Sequence, residues 1–419
     1  MYYIAVIGAG AAGLMAAIRA GRFGKKIILI ERNSSTGKKI LLTGKGRCNI
    51  TNTASLDEFI EKFGRVGQFL RHAFSVFFNK DLMDFFKKEG LELVPERQGR
   101  VFPVDYKARS VVEVFKKALS DAGVEFMPKT RVKNIKKSGD SFELLLKDNK
   151  NIKAKKVILA TGGISWRETG STGDGFRIAK EFGHKLTPLK PALVPLRTKE
   201  TWVKELQGLA LKNVRLFISA SRRTKDGKIR QRKIESKIGE MLFTHFGVSG
   251  PLLLDLSGEI VWILAECKEA KLLIDLKPAL TGERIEEKLL TVFKSQGSAH
   301  VKNVLKSFLP QRLIPVFVRL AGARPDEEAS QATKSVRQKM VNLFKEFPLT
   351  ITGTLSISRA MVTQGGVSIK EIDSKTMESK LVPGLYFAGE IIEGAAPSGG
   401  YNLQQAFSTG YLAGESAAL

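Results

Sequence analysis

The chain of 419 residues is poor in the residues that build covalent or metal frameworks. It has two cysteines, Cys48 and Cys267, and four histidines. Two cysteines exclude a disulfide scaffold and fit a reducing cytosol. So small a Cys and His complement argues against a zinc site, and no metal is expected. Long apolar runs are missing too. Ile260–Ala265 is typical of the longest, far below the ~18 residues needed to cross a bilayer. No membrane partner is therefore expected. The opening residues, Met-Tyr-Tyr-Ile-Ala-Val-Ile-Gly, carry no basic n-region and no cleavage site, so the expected location is cytoplasmic. Acidic residues are scarce relative to basic ones. Lys and Arg number 68 against 42 Asp and Glu, a net charge of +26. Such a field draws polyanions, RNA among them, although lysine enrichment for solubility leads to the same number.

The sequence that is present reads as α/β. Its length suggests two or three domains. Tyr3–Ile7 is a short apolar run of the kind found in buried parallel strands. It enters Gly8-Ala9-Gly10-Ala11-Ala12-Gly13, then an Ala- and Leu-rich helix from Leu14 to Arg22. A second apolar strand, Lys26 to Ile30, ends in Glu31 and Arg32. Gly8 allows the tight turn, Gly10 lets backbone approach a pyrophosphate, and Gly13 permits close helix–strand packing. The helix N-terminus faces the anion. Glu31 lies 23 residues after Gly8, where a carboxylate binds ribose hydroxyls. Strand, turn, helix, strand and terminal acid together specify a dinucleotide-binding unit, for NAD or for FAD.

Further along, Leu70, Phe74, Phe77, Phe78, Leu82, Phe85 and Phe86 repeat at helical spacing, which predicts a core stripe. Ala108–Ala122 reads as an amphipathic helix, and 124–159 as strands ending in Ala160-Thr161-Gly162-Gly163. Near Pro188–Pro195 the chain changes character. Residues 209–276 show short strand-like segments without βαβ spacing, which predicts a small antiparallel unit. Residues 281–347 turn helical, and Leu385–Ala388 returns to a buried strand before Gly389-Glu390 and a last helix.

Gly384–Glu390 resembles the second fingerprint of two-dinucleotide-binding-domain flavoproteins, which implies FAD. The whole chain then resembles the YhiN/BaiN-type bacterial flavoproteins, also described as aminoacetone-oxidase-like or NAD(P)/FAD-dependent oxidoreductases. The matching stretches are Thr43–Asn52, Gly99–Pro103, Ala160–Gly163 with Gly170–Gly175, Pro191–Leu196, Gly239–Pro251 and Gly399–Gln404. One departure stands at Gly389-Glu390-Ile391-Ile392-Glu393-Gly394, where the family has Gly-Glu-Val-Leu-Asp. The acid survives as Glu393. The Thr161–Gly163 and Gly173-Asp174-Gly175 pair also resembles fumarate-reductase-like enzymes.

The resemblance implies a two-dinucleotide-binding-domain-type FAD Rossmann domain formed by 1–190 and 350–419. A β-rich part, 191–277 with 340–349, is inserted in it, and a helical part, 278–339, is inserted in turn. It also implies an FAD site lined by Gly8, Gly10, Ala11, Ala12, Gly13, Glu31, Arg32 and Lys39. Gly44, Gly46, Arg47, Cys48, Asn49, Thr161, Gly162, Gly163, Asp174, Gly389, Glu390, Gly400, Tyr401 and Asn402 complete it. NAD(P)H is the expected electron donor. The implied activity is reduction of a conjugated carbon–carbon bond, in a small enone or in a uridine of ribosomal RNA. The other expectations kept open are an amine oxidase and a non-catalytic ribosome-binding flavoprotein.

Three residues are the catalytic candidates: Cys48, Arg47 and His245. Cys48 lies beside Arg47 and Lys45, cations that would lower its pKa and activate it as acid or nucleophile; the alternative is a buried thiol packed under the flavin. His245 is a candidate general acid or a structural hydrogen-bonding group. From Arg197 to Lys237 there are thirteen cationic and four acidic residues, a net +9. Arg222, Arg223, Arg230, Arg232 and Lys233 are the RNA-binding candidates, on a hairpin turning at Asp226-Gly227. A charge-protected edge strand explains the same residues.

Overall fold

The computed structural model describes residues 1–223 and 229–419. Two compact units form, 1–192 with 356–419, and 193–355. The first unit opens with β1 (Tyr2–Ile7), α1 (Ala11–Gly21), β2 (Ile27–Ile30), α2 (Lys38–Leu42) and β3 (Thr51–Asn52). It continues through α3 (Leu56–Lys62), α4 (Gly67–Val76), α5 (Asn79–Lys88), β4 (Leu93–Pro95), β5 (Arg100–Pro103) and α6 (Ala108–Asp121). Then come β6 (Glu125–Met127), β7 (Val132–Ser138), β8 (Ser141–Leu146), β9 (Asn151–Leu159), α7 (Asp174–Glu181) and β10 (Lys190–Ala192).

The second unit holds β11 (Leu196–Thr198), β12 (Ala210–Arg223), β13 (Ile229–Glu235), β14 (Gly239–Thr244), β15 (Gly247–Ser249), α8 (Pro251–Cys267) and β16 (Ala270–Asp275). Helices α9 (Gly282–Ser295), α10 (Val301–Val304), α11 (Ile314–Ala321) and α12 (Lys334–Lys345) precede β17 (Phe347–Thr354). The chain then returns to the first unit for β18 (Val362–Gln364), β19 (Leu385–Phe387) and α13 (Tyr401–Ala418).

In the first unit β6, β2, β1, β9 and β19 pair in parallel. β2 is apolar and buried throughout, and β1 is buried from Ile4 to Ile7, as expected of parallel strands in the middle of a sheet. β9 is long enough to pair twice along one edge. Its first half joins β8 and its second half joins β19. The return strand thus enters the sheet beside the turn after β9. α1 packs along α13 at unusually close range. A Cβ at Gly410 would lie 2.3 Å from the Ala12 carbonyl oxygen, and one at Gly414 would lie 2.3 Å from that of Ala16. The aromatic stripe is core as predicted, with Phe74 and Phe86 fully buried.

In the second unit the antiparallel pairings run β12–β14–β15–β11–β17–β16 and back to β12, a closed ring. Closure leaves no free edge in that ring. β13 extends it, paired only with β12 among the described residues. Strands and helices share one core, from Leu272 and Ile274 of β16 to Phe317 and Phe344. The helical segment therefore has no separate core. The 17-residue α8 lies within the stretch read as strand-like. Its apolar residues run almost all round, so the 3.6-residue period that marks an amphipathic helix is absent.

Candidate active site

The chain leaves β1 at Gly8, with φ +101°. A Cβ there would sit 2.6 Å from the Ala160 carbonyl oxygen, and one at Gly13 would sit 1.8 Å from that of Gly8. Only hydrogen fits at either place. Gly10 differs. Its backbone is extended, and no other atom comes within 4 Å of a Cβ placed there. α1 has no side-chain cap, so its first turn, with Ala11 and Ala12, offers amides to an anion. Glu31 stands beside this turn. One carboxylate oxygen accepts from the Ala9 amide at 2.8 Å, the other from the Asn33 backbone at 2.8 Å and its Nδ2 at 2.7 Å. Asn33 was not foreseen, because its role depends on the path of the chain after Glu31.

Glu390 is the centre of a second group. It accepts from Lys39 Nζ at 2.5 Å, Ser165 Oγ at 2.9 Å and the Thr363 amide at 2.7 Å. Burial pushes its carboxyl up, but Lys39 and these hydrogen bonds outweigh it and hold the pKa below the usual range. Ser165 comes from the loop after β9 and Thr363 from β18, and neither carries a motif. Gly163 is packed under them, since a Cβ there would lie 2.3 Å from Thr363 Oγ1. Gly162 is left-handed, φ +71°. Gly389 is seated on α1, its Cβ position 2.7 Å from that of Ala12. Asp174 opens α7 but does not cap it. Arg131 grips it through two hydrogen bonds, 2.8 and 2.6 Å, and Arg32 lies 3.6 Å away. Burial opposes these contacts, yet they keep its carboxyl low.

The third group surrounds Cys48. Gly44, Lys45, Gly46 and Cys48 all have positive φ, a strained run for two of them. The loop is tied to the start of α13. Thr51 Oγ1 donates to Gln404 Oε1 at 2.6 Å, and Asn52 Nδ2 donates to the Gly399 carbonyl at 3.0 Å. Gly400 lies against the Thr51 backbone, Tyr401 meets Phe59 edge-on at 4.7 Å, and Asn402 bonds Ala396 and Pro397. Cys48 itself is fully buried, and burial pushes its thiol up to about 12. This is opposite to the lowering that the neighbouring cations predict. Arg47 does not face the sulfur. Its guanidinium lies 4.8 Å from the Phe102 ring centre and 4.0 Å from Glu96.

These groups fit FAD. Open space at Gly10 faces the helix amides, as a pyrophosphate needs. Thr36 Oγ1, Asn49 Oδ1 and Thr161 Oγ1 are buried without a protein partner, and buried polar atoms are otherwise satisfied. Among the described residues no cluster of three or more His, Cys, Asp or Glu is poised for a metal, and no helix is long and apolar enough to cross a membrane.

His245 belongs to the second unit. It is exposed in the two-residue turn between β14 and β15, its ring 4.9 Å from Phe246. The basic hairpin is there too. β12 and β13 pair with Arg222 opposite Arg230, Ala220 opposite Arg232 and Ser219 opposite Lys233. Alternation puts Arg232 and Lys233 on different faces. Arg232 reaches Glu266 at 3.5 Å, so part of its charge is met within the protein. The turn at Asp226-Gly227 lies outside the described residues.

Residues 2–416 match the family described as HI0933-like protein Rossmann domain. A 3-dehydro-bile acid delta(4,6)-reductase of Clostridium scindens is 32% identical over 100% of this chain and 99% of its own length. A ribosomal RNA dihydrouridine synthase of Escherichia coli is also 32% identical, over 97% of this chain and 95% of its own. Among solved structures, a flavocytochrome c3 fumarate reductase aligns with a TM-score of 0.53 at 17% identity, covering 100% of this chain and 78% of that one. A 3-ketosteroid delta1-dehydrogenase of Sterolibacterium denitrificans aligns at 0.52 and 14%, covering 100% and 99%. At such identities these structures speak for the fold. With the glycine turn, Glu31 and the Glu390 group in place, the chain belongs to the HI0933-like Rossmann family and is an FAD-dependent oxidoreductase.

Proposed function

We propose that this protein reduces a conjugated carbon–carbon double bond, and that its substrate is uridine in ribosomal RNA, converted to dihydrouridine. The observation that carries the reaction class is the pair of full-length relatives. Both names describe addition of two hydrogens across a carbon–carbon bond conjugated to a carbonyl. The net charge of +26 and the basic β12–β13 hairpin favour the RNA substrate over the small one. NAD(P)H supplies the electrons, and the setting is the cytoplasm.

FAD, when bound, supplies the hydride. The α1 amides and Glu31 would hold its dinucleotide end. Lys39, Glu390, Thr161, Gly162, Asn49 and Gly400 are the residues that would hold the rest of it. Cys48 keeps its proton on Sγ at neutral pH, because a thiol raised to about 12 stays protonated. That state suits a proton donor to the α-carbon better than a nucleophile.

Mass spectrometry of ribosomal RNA nucleosides from a strain lacking the gene tests the substrate. Loss of one dihydrouridine, restored by the wild-type gene, is expected. An unchanged dihydrouridine content overturns it. The equal identity of the bile acid reductase favours a second reading, a small-molecule enone reductase. That reading predicts that replacing Arg222, Arg223, Arg230 and Arg232 by Gln leaves turnover intact. The RNA reading predicts weaker RNA binding with flavin content unchanged.

A further inference from the structure

The loop that carries Cys48 has a second face, which the chemistry described above does not use. Arg47 projects from it onto β5 and the turn that follows. Its guanidinium lies 4.8 Å from the Phe102 ring centre and 6.0 Å from that of Tyr106. The two rings lie 6.0 Å apart, tilted by 40°. Glu96 holds both ends of this group. It accepts a hydrogen bond from the Tyr106 hydroxyl and sits 4.0 Å from Arg47. Phe102 is buried, but Tyr106 is 39% exposed and the Arg47 side chain 45%. The result is a surface of ring and guanidinium groups, half-exposed at Tyr106 and Arg47.

Two further observations mark this surface. Lys45, Cys48, Gln98 and Tyr106 all hold positive φ without being glycine. Strain of this kind persists where surrounding structure fixes it, and it concentrates at ligand sites. The pairing of β3 with β5 ties the two strained loops together. The rim is basic. Lys45 and Arg97 are exposed on these two loops, and Arg100, which opens β5, is half-exposed.

We propose that Arg47 and Tyr106, backed by Phe102, form a stacking ledge for an unpaired RNA base next to the base being reduced. Lys45, Arg97 and Arg100 take the flanking phosphates. The inference rests on the RNA reading above and specifies where a strand is gripped in the first unit. Single-stranded RNA is bound this way, by aromatic and guanidinium planes under the bases with cations along the backbone. A uracil leaving its stack needs a neighbouring base held in place, and a ledge on the Cys48 loop supplies that.

The test uses the FAD-loaded full chain. Tyr106→Asn removes the ring and tolerates the left-handed backbone; Tyr106→Phe keeps the ring and loses the bond to Glu96. Fluorescence anisotropy with a labelled single-stranded oligouridylate reads binding. Dihydrouridine formation in ribosomal RNA reads turnover, and reduction of the bound flavin by NAD(P)H is the control. Tyr106→Asn should weaken oligouridylate binding about tenfold or more and raise KM for RNA without changing flavin reduction. Tyr106→Phe should bind like wild type. Wild-type binding in Tyr106→Asn, or equal loss in both variants, overturns the ledge. If binding depends on the ring but no dihydrouridine forms in wild type, the ledge stands and the reductase reading falls. If dihydrouridine forms and Tyr106→Asn behaves like wild type, the reading stands and the ledge falls.

Discussion

The two cysteines should differ sharply in reactivity, and the difference decides what Cys48 can do. A free thiol has a pKa near 8.5, so about a quarter is thiolate at pH 8. A thiol raised to about 12 leaves about one part in ten thousand ionised at the same pH. Ionisation alone therefore slows Cys48 about 2,000-fold. The rarer thiolate is intrinsically more nucleophilic, by about 40-fold for 3.5 pKa units at a Brønsted slope of 0.4–0.5. The net is about 50-fold slower disulfide exchange, before burial excludes the reagent. Cys267, half-buried at the end of α8, is the internal reference. The assay is timed reaction of the purified protein with a disulfide reagent at pH 8, with each site read by peptide mass spectrometry. Cys48 modified as fast as Cys267 would refute the reasoning. It would mean that Arg47 and Lys45 activate the sulfur after all, and that Cys48 is equipped for nucleophilic chemistry.

Gly10→Val should fold with an unchanged apo-protein melting temperature, because no neighbouring atom opposes the new side chain. It should fail to retain FAD, as absorbance near the flavin band will show. Gly410→Val should do the reverse. Its Cβ meets the Ala12 carbonyl at 2.3 Å, and overpacking of this kind costs about 1–3 kcal/mol or more, read as a lower urea midpoint. Glu390→Gln breaks a largely buried pair whose side chains are 17% and 25% exposed, with an expected loss of about 3 kcal/mol at pH 7. The Glu390 pKa is depressed in the fold, so the wild type's advantage is full above the unfolded value of about 4.3 and shrinks as pH falls below it. Urea titrations of both proteins at neutral and acidic pH measure that convergence.

The parts of the site that were legible are those where one residue type is demanded by geometry. Gly8 and Gly13 admit no Cβ, and Glu31 must end the second strand, so spacing alone reveals them. Glu390 was legible through its motif, but Ser165 and Thr363, which hold its carboxylate, were not. They are ordinary polar residues brought in by the tertiary path. Of the two readings of Cys48, the structure fits the buried thiol, and the lowering by neighbouring cations fails because sequence proximity says nothing of where a side chain points. Arg47 is adjacent in the chain and turned onto Phe102 in space. α8 was missed because uniform apolarity erases its period, whereas α6, with one buried face, was found almost to its ends.

The close seating of α13 on α1 also sets an order of events. α13 is translated roughly 390 residues after α1, about 20–80 s later at 5–20 residues per second. Through that interval the small-residue face of α1 has no partner from its own sheet layer, and the Cys48 loop lacks Gly399 and Gln404. The second unit, contiguous from 193 to 355, can form its own core while the first waits. Flavin capture is therefore a late step in the life of each chain, and a nascent chain stalled before residue 400 carries every glycine of the N-terminal turn yet has no closed site to hold the cofactor.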